Sequence, residues 1–197
     1  MILDIHDRLN MIEERIRNDP FFSNRSLSSG NGGYIFDYDP EDELVVRDFI
    51  KNFGSRTDLG FNIQVIGLYN DIMIPFLLEG DYLETTFDLE EETETEGFGY
   101  LQNAVTSLFD QGGRDDLFVN YIQEHAVEGN VIFIIGVGKC HPFIRSHMII
   151  NNFDSKMNGV KTVLFYPGTY DSEELRLFGT IASENYYRSM ILVERSV

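Results

Sequence analysis

At 197 residues and 43% hydrophobic, with sixteen Phe, the chain suits one α/β domain with a full core. Its 33 Asp and Glu against 15 Lys and Arg give a formal net charge of −18, which repels a phosphate backbone and argues against direct nucleic-acid binding. The most apolar stretch is broken by Lys139, His141, Pro142 and Arg145 before it reaches bilayer length, no basic region precedes an apolar one at the N-terminus, and the one cysteine cannot form an intrachain disulfide, so the expected setting is a reducing cytoplasm.

In chain order, Ile2, Ile5, Leu9, Ile12 and Ile16 recur at spacings of three and four and predict an amphipathic helix over 2–17. Asp19-Pro20 stops it, because the residue before proline is pushed out of the helical region. Residues 23–33, rich in Ser, Asn and Gly, read as a flexible loop. Tyr34 to Tyr38 is the first predicted strand. Asp39 then caps a helix with Pro40 at its first position; Leu44, Val45, Phe49 and Phe53 form its inner face, and Gly54 ends it. Phe61 to Leu68 is the second strand. A helical segment follows, with Ile72, Ile74, Phe76, Leu77 and Leu78 inside despite Pro75.

Residues 84–97 hold the most biased stretch, TFDLEEETETE, which dense like charge marks as a solvated acidic linker. The ordered oxygen spacing and central glycine of an EF-hand loop are absent from it. Phe98 to Phe109 and Asp115 to Val127 are two further helices, with Leu101, Val105, Leu108, Leu117, Tyr121 and Ile122 as their inner faces. Val131 to Ile135 is a short β-branched run suited to a strand buried on both faces. Gly136 and Gly138 allow a tight turn after it. Pro142 opens a helix whose apolar face is Ile144, Met148, Ile149 and Phe153. Strands over Val160 to Tyr166 and Met190 to Val193 complete a single domain over 1–197. Alternating strands and helices imply a three-layer α/β/α domain with a mostly parallel, Rossmann-like sheet of about five strands.

In such sheets ligands collect beyond the carboxyl ends of the strands. Three loops should meet there: Asp37 to Pro40, Gly136 to Pro142, and Pro167 to Asp171, the last containing Gly168 and Tyr170 after Tyr166. The Gly136-Val137-Gly138-Lys139 loop lacks the four-residue spacing and the Ser or Thr of a Walker A loop, and a dinucleotide fingerprint would need its third glycine at His141. A tight strand-to-helix turn is the plainer reading. Asp37, Asp39 and Asp171 offer hard oxygens for magnesium, but a helix cap at Asp39 and a closed turn at Asp171 account for them as well. Cys140 and His141 are adjacent, which does not aim a thiolate at its base, and the four histidines lack zinc spacing. His147, beside Arg145, orients a loop or lies on a helix surface. Asn185-Tyr186-Tyr187-Arg188 lacks both prolines of an adenine-methyltransferase loop; Arg176 and Arg188 pair with Asp171 or Glu184, or offer a partner a planar fork. No catalytic constellation, cofactor or metal is read from these residues.

Three blocks carry a resemblance: Gly136 to His147 with Asn151-Asn152, Phe165 to Asp171, and Leu175 to Gly179 followed by Asn185 to Arg188. In order and separation they resemble the BrxB family, a component of BREX phage-defence systems. The resemblance implies a small cytoplasmic accessory protein encoded with a DNA methyltransferase, a large ATPase and the alkaline-phosphatase-like protein PglZ. It implies no catalytic activity that maps onto residues here. The expectation is therefore a non-enzymatic adaptor whose partners are PglZ and other BREX proteins, with the N-terminal helix either a docking or dimerisation element or, more simply, packed on its own domain. The alternative is a nucleotide- or metal-binding enzyme or sensor that uses the crevice.

Overall fold

The computed structural model describes residues 2–19, 22, 33–111, 113–144, 160–171, 174–183 and 189–196. Its strands are β1 (Tyr34–Tyr38), β2 (Ile63–Gly67), β3 (Val131–Ile135), β4 (Lys161–Tyr170), β5 (Leu175–Leu177), β6 (Ile181–Ser183) and β7 (Met190–Ile191). Five of them form the main sheet in the order β2-β3-β4-β1-β7, with every pairing among them parallel. Successive side chains of a strand face opposite ways, and the core divides accordingly. Tyr34, Phe36, Val131, Phe133, Val163 and Phe165 belong to one apolar cluster. Ile35, Ile132, Ile134 and Leu164 belong to the other.

Helices cover both faces. α1 (Ile5–Asn18) and α2 (Glu43–Gly54) bring Leu9, Ile12, Ile16, Val46, Ile50 and Phe53 onto the first cluster, where the Phe133 and Phe165 rings lie 4.9 Å apart. α3 (Ile74–Glu79), α4 (Tyr82–Glu96), α5 (Phe98–Leu108) and α6 (Leu117–His125) cover the second through Leu77, Leu101, Val105, Phe118, Val119 and Ile122. The architecture is the expected three-layer α/β/α, mostly parallel and Rossmann-like. α7 (Val137–Cys140) is a single turn after β3.

Several local expectations need correction. Ile2 is 87% exposed and lies in an antiparallel bridge with Ser196 ahead of α1. The remaining α1 stripe packs on the chain's own sheet, the simpler of the two fates expected for it. On α2 the buried residues are Val46, Ile50 and Phe53, while Leu44 is 70% exposed. Of the expected inner face, Phe53 is buried and Val45 and Phe49 are half-buried against the same cluster, so the face is centred on Val46, Ile50 and Phe53 and leaves Leu44 outside. Leu78 is exposed and Leu77 buried, as neighbours on a helix lie about 100° apart.

The acidic stretch is helical in α4. It contains no Gly or Pro and is rich in Glu, a good helix former; stacking of Phe76 on Tyr82 and packing of Leu89 on the core anchor it. Pro142 does not open a helix. α7 begins five residues earlier, at Val137, and His141 before the proline is already extended. The helix expected beyond Ile144 and the loop over 23–32 lie outside the described residues.

The largest difference is at β4, which continues through Pro167 to Tyr170 instead of ending at Tyr166. Its last three residues pair antiparallel with β5, and β5 with β6. Gly168 permits this close pairing, since a Cβ there would lie 2.1 Å from the Arg176 carbonyl oxygen. The third loop of the expected crevice is therefore a strand.

Candidate functional site

The expected acidic site is closed by arginine. Asp37, near the end of β1 and 2% exposed, accepts from Arg8 Nη2 at 2.8 Å and from Arg195 Nε at 2.7 Å. Arg8 also donates to the carbonyls of Asp37 and Val193, at 2.6 and 2.7 Å. Arg195 donates to Asp39 Oδ1 and to the Gly168 carbonyl, both at 2.7 Å. The Tyr170 amide reaches Asp37 Oδ2 at 3.4 Å. One carboxylate thus ties α1, β1, β4 and the C-terminal segment together, with a cation on each oxygen. Burial pulls the Arg8 guanidinium below its ordinary value against the opposing charge of Asp37.

Asp171 closes a turn, accepting from the Glu174 amide at 2.7 Å. The three aspartates do not converge on a metal, and among the described residues no group of three or more His, Cys, Asp or Glu could hold one. Asp39 is a helix cap by position alone, with no capping hydrogen bond from its side chain. Tyr166 is buried in the second cluster, and the Tyr170 hydroxyl donates to the Ser189 carbonyl at 2.7 Å. Arg176 pairs with Glu174 at 2.6 Å rather than with Asp171. Arg145, His147, Asn185, Tyr187 and Arg188 lie outside the described residues.

A crevice does open at the carboxyl ends of the strands. A cavity of about 470 Å³ lies between α2 and the ends of β2 and β3, walled by Val46, Ile50, Val65, Ile135 and Phe165. A smaller one of about 210 Å³, reaching Pro167, Gly138 and Phe178, shares Tyr38, Glu43, Arg47, Gly136 and Lys139 with it. Of the residues singled out in the sequence, Gly136, Gly138, Lys139 and Pro167 meet here. Gly136 takes φ +90°, which favours glycine. A Cβ on Gly138 would come within 2.9 Å of the Phe178 ring, so glycine lets that ring close over the turn.

Polar groups on the rim are organised by Glu43. The Tyr38 hydroxyl donates to its Oε2 at 2.6 Å, and Arg47 Nε donates to its Oε1 at 2.8 Å. Burial, then the hydrogen bond to Glu43, pushes the Tyr38 phenol well above its ordinary value, so it remains a donor. Lys139 Nζ lies 6.0 Å from the Tyr69 ring centroid. Cys140 is fully buried, and burial pushes its thiol up to about 12. A thiol held protonated is not a nucleophile.

Sequence reasoning missed Arg8, Glu43, Arg47, Tyr69, Phe178 and Arg195. Arg8 alone left a signal: an arginine three residues after Ile5 and four before Ile12 lies on the apolar stripe of α1, where a charge needs a buried partner.

The sequence profile described as "BREX protein BrxB" matches residues 65–192. The chain is 37% identical over 193 residues to a "BREX protein BrxB" of Bacillus cereus (strain H3081.97), covering 97% of this chain and 98% of that protein. It is 27% identical over 186 residues to a "BREX protein BrxB" of Escherichia coli O9:H4 (strain HS), covering 94% and 90%. No solved structure matches the chain significantly.

Proposed function

The chain belongs to the BrxB family, and on that premise we propose that it is a non-enzymatic adaptor of a BREX complex that binds PglZ and helps assemble the methylation and phage-exclusion machinery. The observation that carries this reading is the near full-length match to BREX proteins. Support comes from the site. The candidate chemical groups are engaged in holding the fold: Asp37 lies between two arginines, Asp171 closes a turn and the Cys140 thiol is kept protonated by burial. Among the described residues no helix is long and apolar enough to cross a membrane. The acidic surplus of the chain speeds encounter with a basic face and rejects wrong partners.

The test is titration of purified PglZ with this protein. A complex is expected whose association rate falls as salt rises from about 0.1 to about 1 M, which shortens the Debye length from about 10 to about 3 Å. No complex at micromolar concentrations would remove PglZ as the partner. Association indifferent to salt would remove the electrostatic part.

A further inference from the structure

The crevice is positive in a strongly negative protein. Among the described residues, Arg47, Lys51 and Lys139 line the larger cavity against the single carboxylate of Glu43, a local charge of +2 in a chain of −18. Glu43 already neutralises Arg47 at 2.8 Å. Lys51 and Lys139 have no carboxylate partner among the described residues. Behind these cations the wall is apolar and aromatic, with Val46, Ile50, Val65 and Phe165 on one side and Tyr69 beside Lys139. A cavity of about 470 Å³ falls in the range of about 300–1,000 Å³ that buries a small organic ligand. It lies where open α/β sheets collect ligands.

Two uncompensated cations call for a dianion, and a phosphate monoester carries about −1.5 to −2 near neutral pH. A carboxylate would leave one cation unmatched. The apolar wall calls for a flat ring or an equivalent hydrophobic body. We propose that the crevice is a binding site for a small aromatic phosphomonoester of the nucleoside monophosphate class, its phosphate held by Lys139 and Lys51 and its ring against the apolar wall. The Gly136 turn and the short α7 put Lys139 on the lining of both cavities. The site stands independently of the partner reading, since an adaptor functions with or without a small ligand.

The experiment is calorimetric titration of the full chain with the four common nucleoside monophosphates, the matching nucleosides and inorganic phosphate, with thermal shift as a second readout. A ligand that binds only the folded state raises the melting temperature. At least one monophosphate is expected to bind in the micromolar to low millimolar range, more tightly than its nucleoside and than phosphate alone. Both lysines are exposed, so Lys139→Met and Lys51→Met should fold normally, and each should weaken binding about tenfold or more, the loss expected for one charged hydrogen bond. Failure of all four monophosphates at about 10 mM, where even a ligand of millimolar dissociation constant would raise the melting temperature, overturns the proposal. Binding that survives both substitutions unchanged overturns it too, and binding of inorganic phosphate as tight as that of the nucleotides removes the ring from the site.

Discussion

Replacing Asp37 by alanine tests how the α1, β1 and C-terminal segments are held together. Arg8, 3% exposed, would lose its carboxylate partner at 2.8 Å and keep, among the described residues, the carbonyls of residue 37 and Val193. Arg195 suffers less: its side chain is 35% exposed and still reaches Asp39 at 2.7 Å. The cost therefore comes mainly from an uncompensated buried charge, about 3–5 kcal/mol. That is a large share of the roughly 5–15 kcal/mol that hold a domain folded. Arg195→Met should cost less, about 1–3 kcal/mol, because Asp37 keeps Arg8. Urea unfolding, compared at a common slope, gives both values. The double variant Arg8→Met with Asp37→Ala should cost less than the sum of the single changes, since it removes charge and countercharge together. An Asp37→Ala protein within about 1 kcal/mol of the parent, or a strictly additive double variant, would refute this reading of the network.

Two further expectations concern the site's surroundings. The folded Cys140 thiol, raised from about 9 to about 12 by burial, is protonated at pH 8; its contribution to stability is complete below about 9 and is lost as pH rises through about 12. A thiol reagent at pH 8 should modify the denatured chain once and leave the native chain intact, and stoichiometric labelling of native protein would contradict the burial. Gly168→Ala places a Cβ 2.1 Å from the Arg176 carbonyl and should destabilise by about 1–3 kcal/mol, whereas Gly99→Ala on α5 meets nothing within 4 Å and should stabilise by up to about 1 kcal/mol; thermal melts of the pair check the contrast, and equal melting temperatures would refute it.

How far the sequence revealed the fold depends on which elements local pattern decides. β3 begins and ends with its apolar run, since a strand in the middle of a parallel sheet is apolar on both faces, and β1 keeps its expected bounds with the buried Asp37 inside it. α2 is apolar over a wider arc than one face can bury, and only the sheet decides that Leu44 stays outside while Val46 and Ile50 go in. The β4 extension was hidden by Pro167-Gly168, which reads as a turn but here serves a close antiparallel pairing. Strand order depends on contacts far apart in the chain and left no local trace.

The site was legible in place but not in composition. The glycine turn and Lys139 were visible because a loop after a buried strand is where ligands collect. Glu43, Arg47 and Tyr69 lie on surface helical positions indistinguishable in sequence from solvated ones. The pairing of Asp37 with Arg8 and Arg195, separated by 29 and 158 residues, follows from topology alone.

The most direct test of the adaptor account is affinity purification of the tagged chain from cells carrying its whole gene neighbourhood, followed by mass spectrometry. The account predicts recovery of PglZ or other BREX proteins with the bait. Recovery of the bait alone, at concentrations where complexes survive, would contradict it.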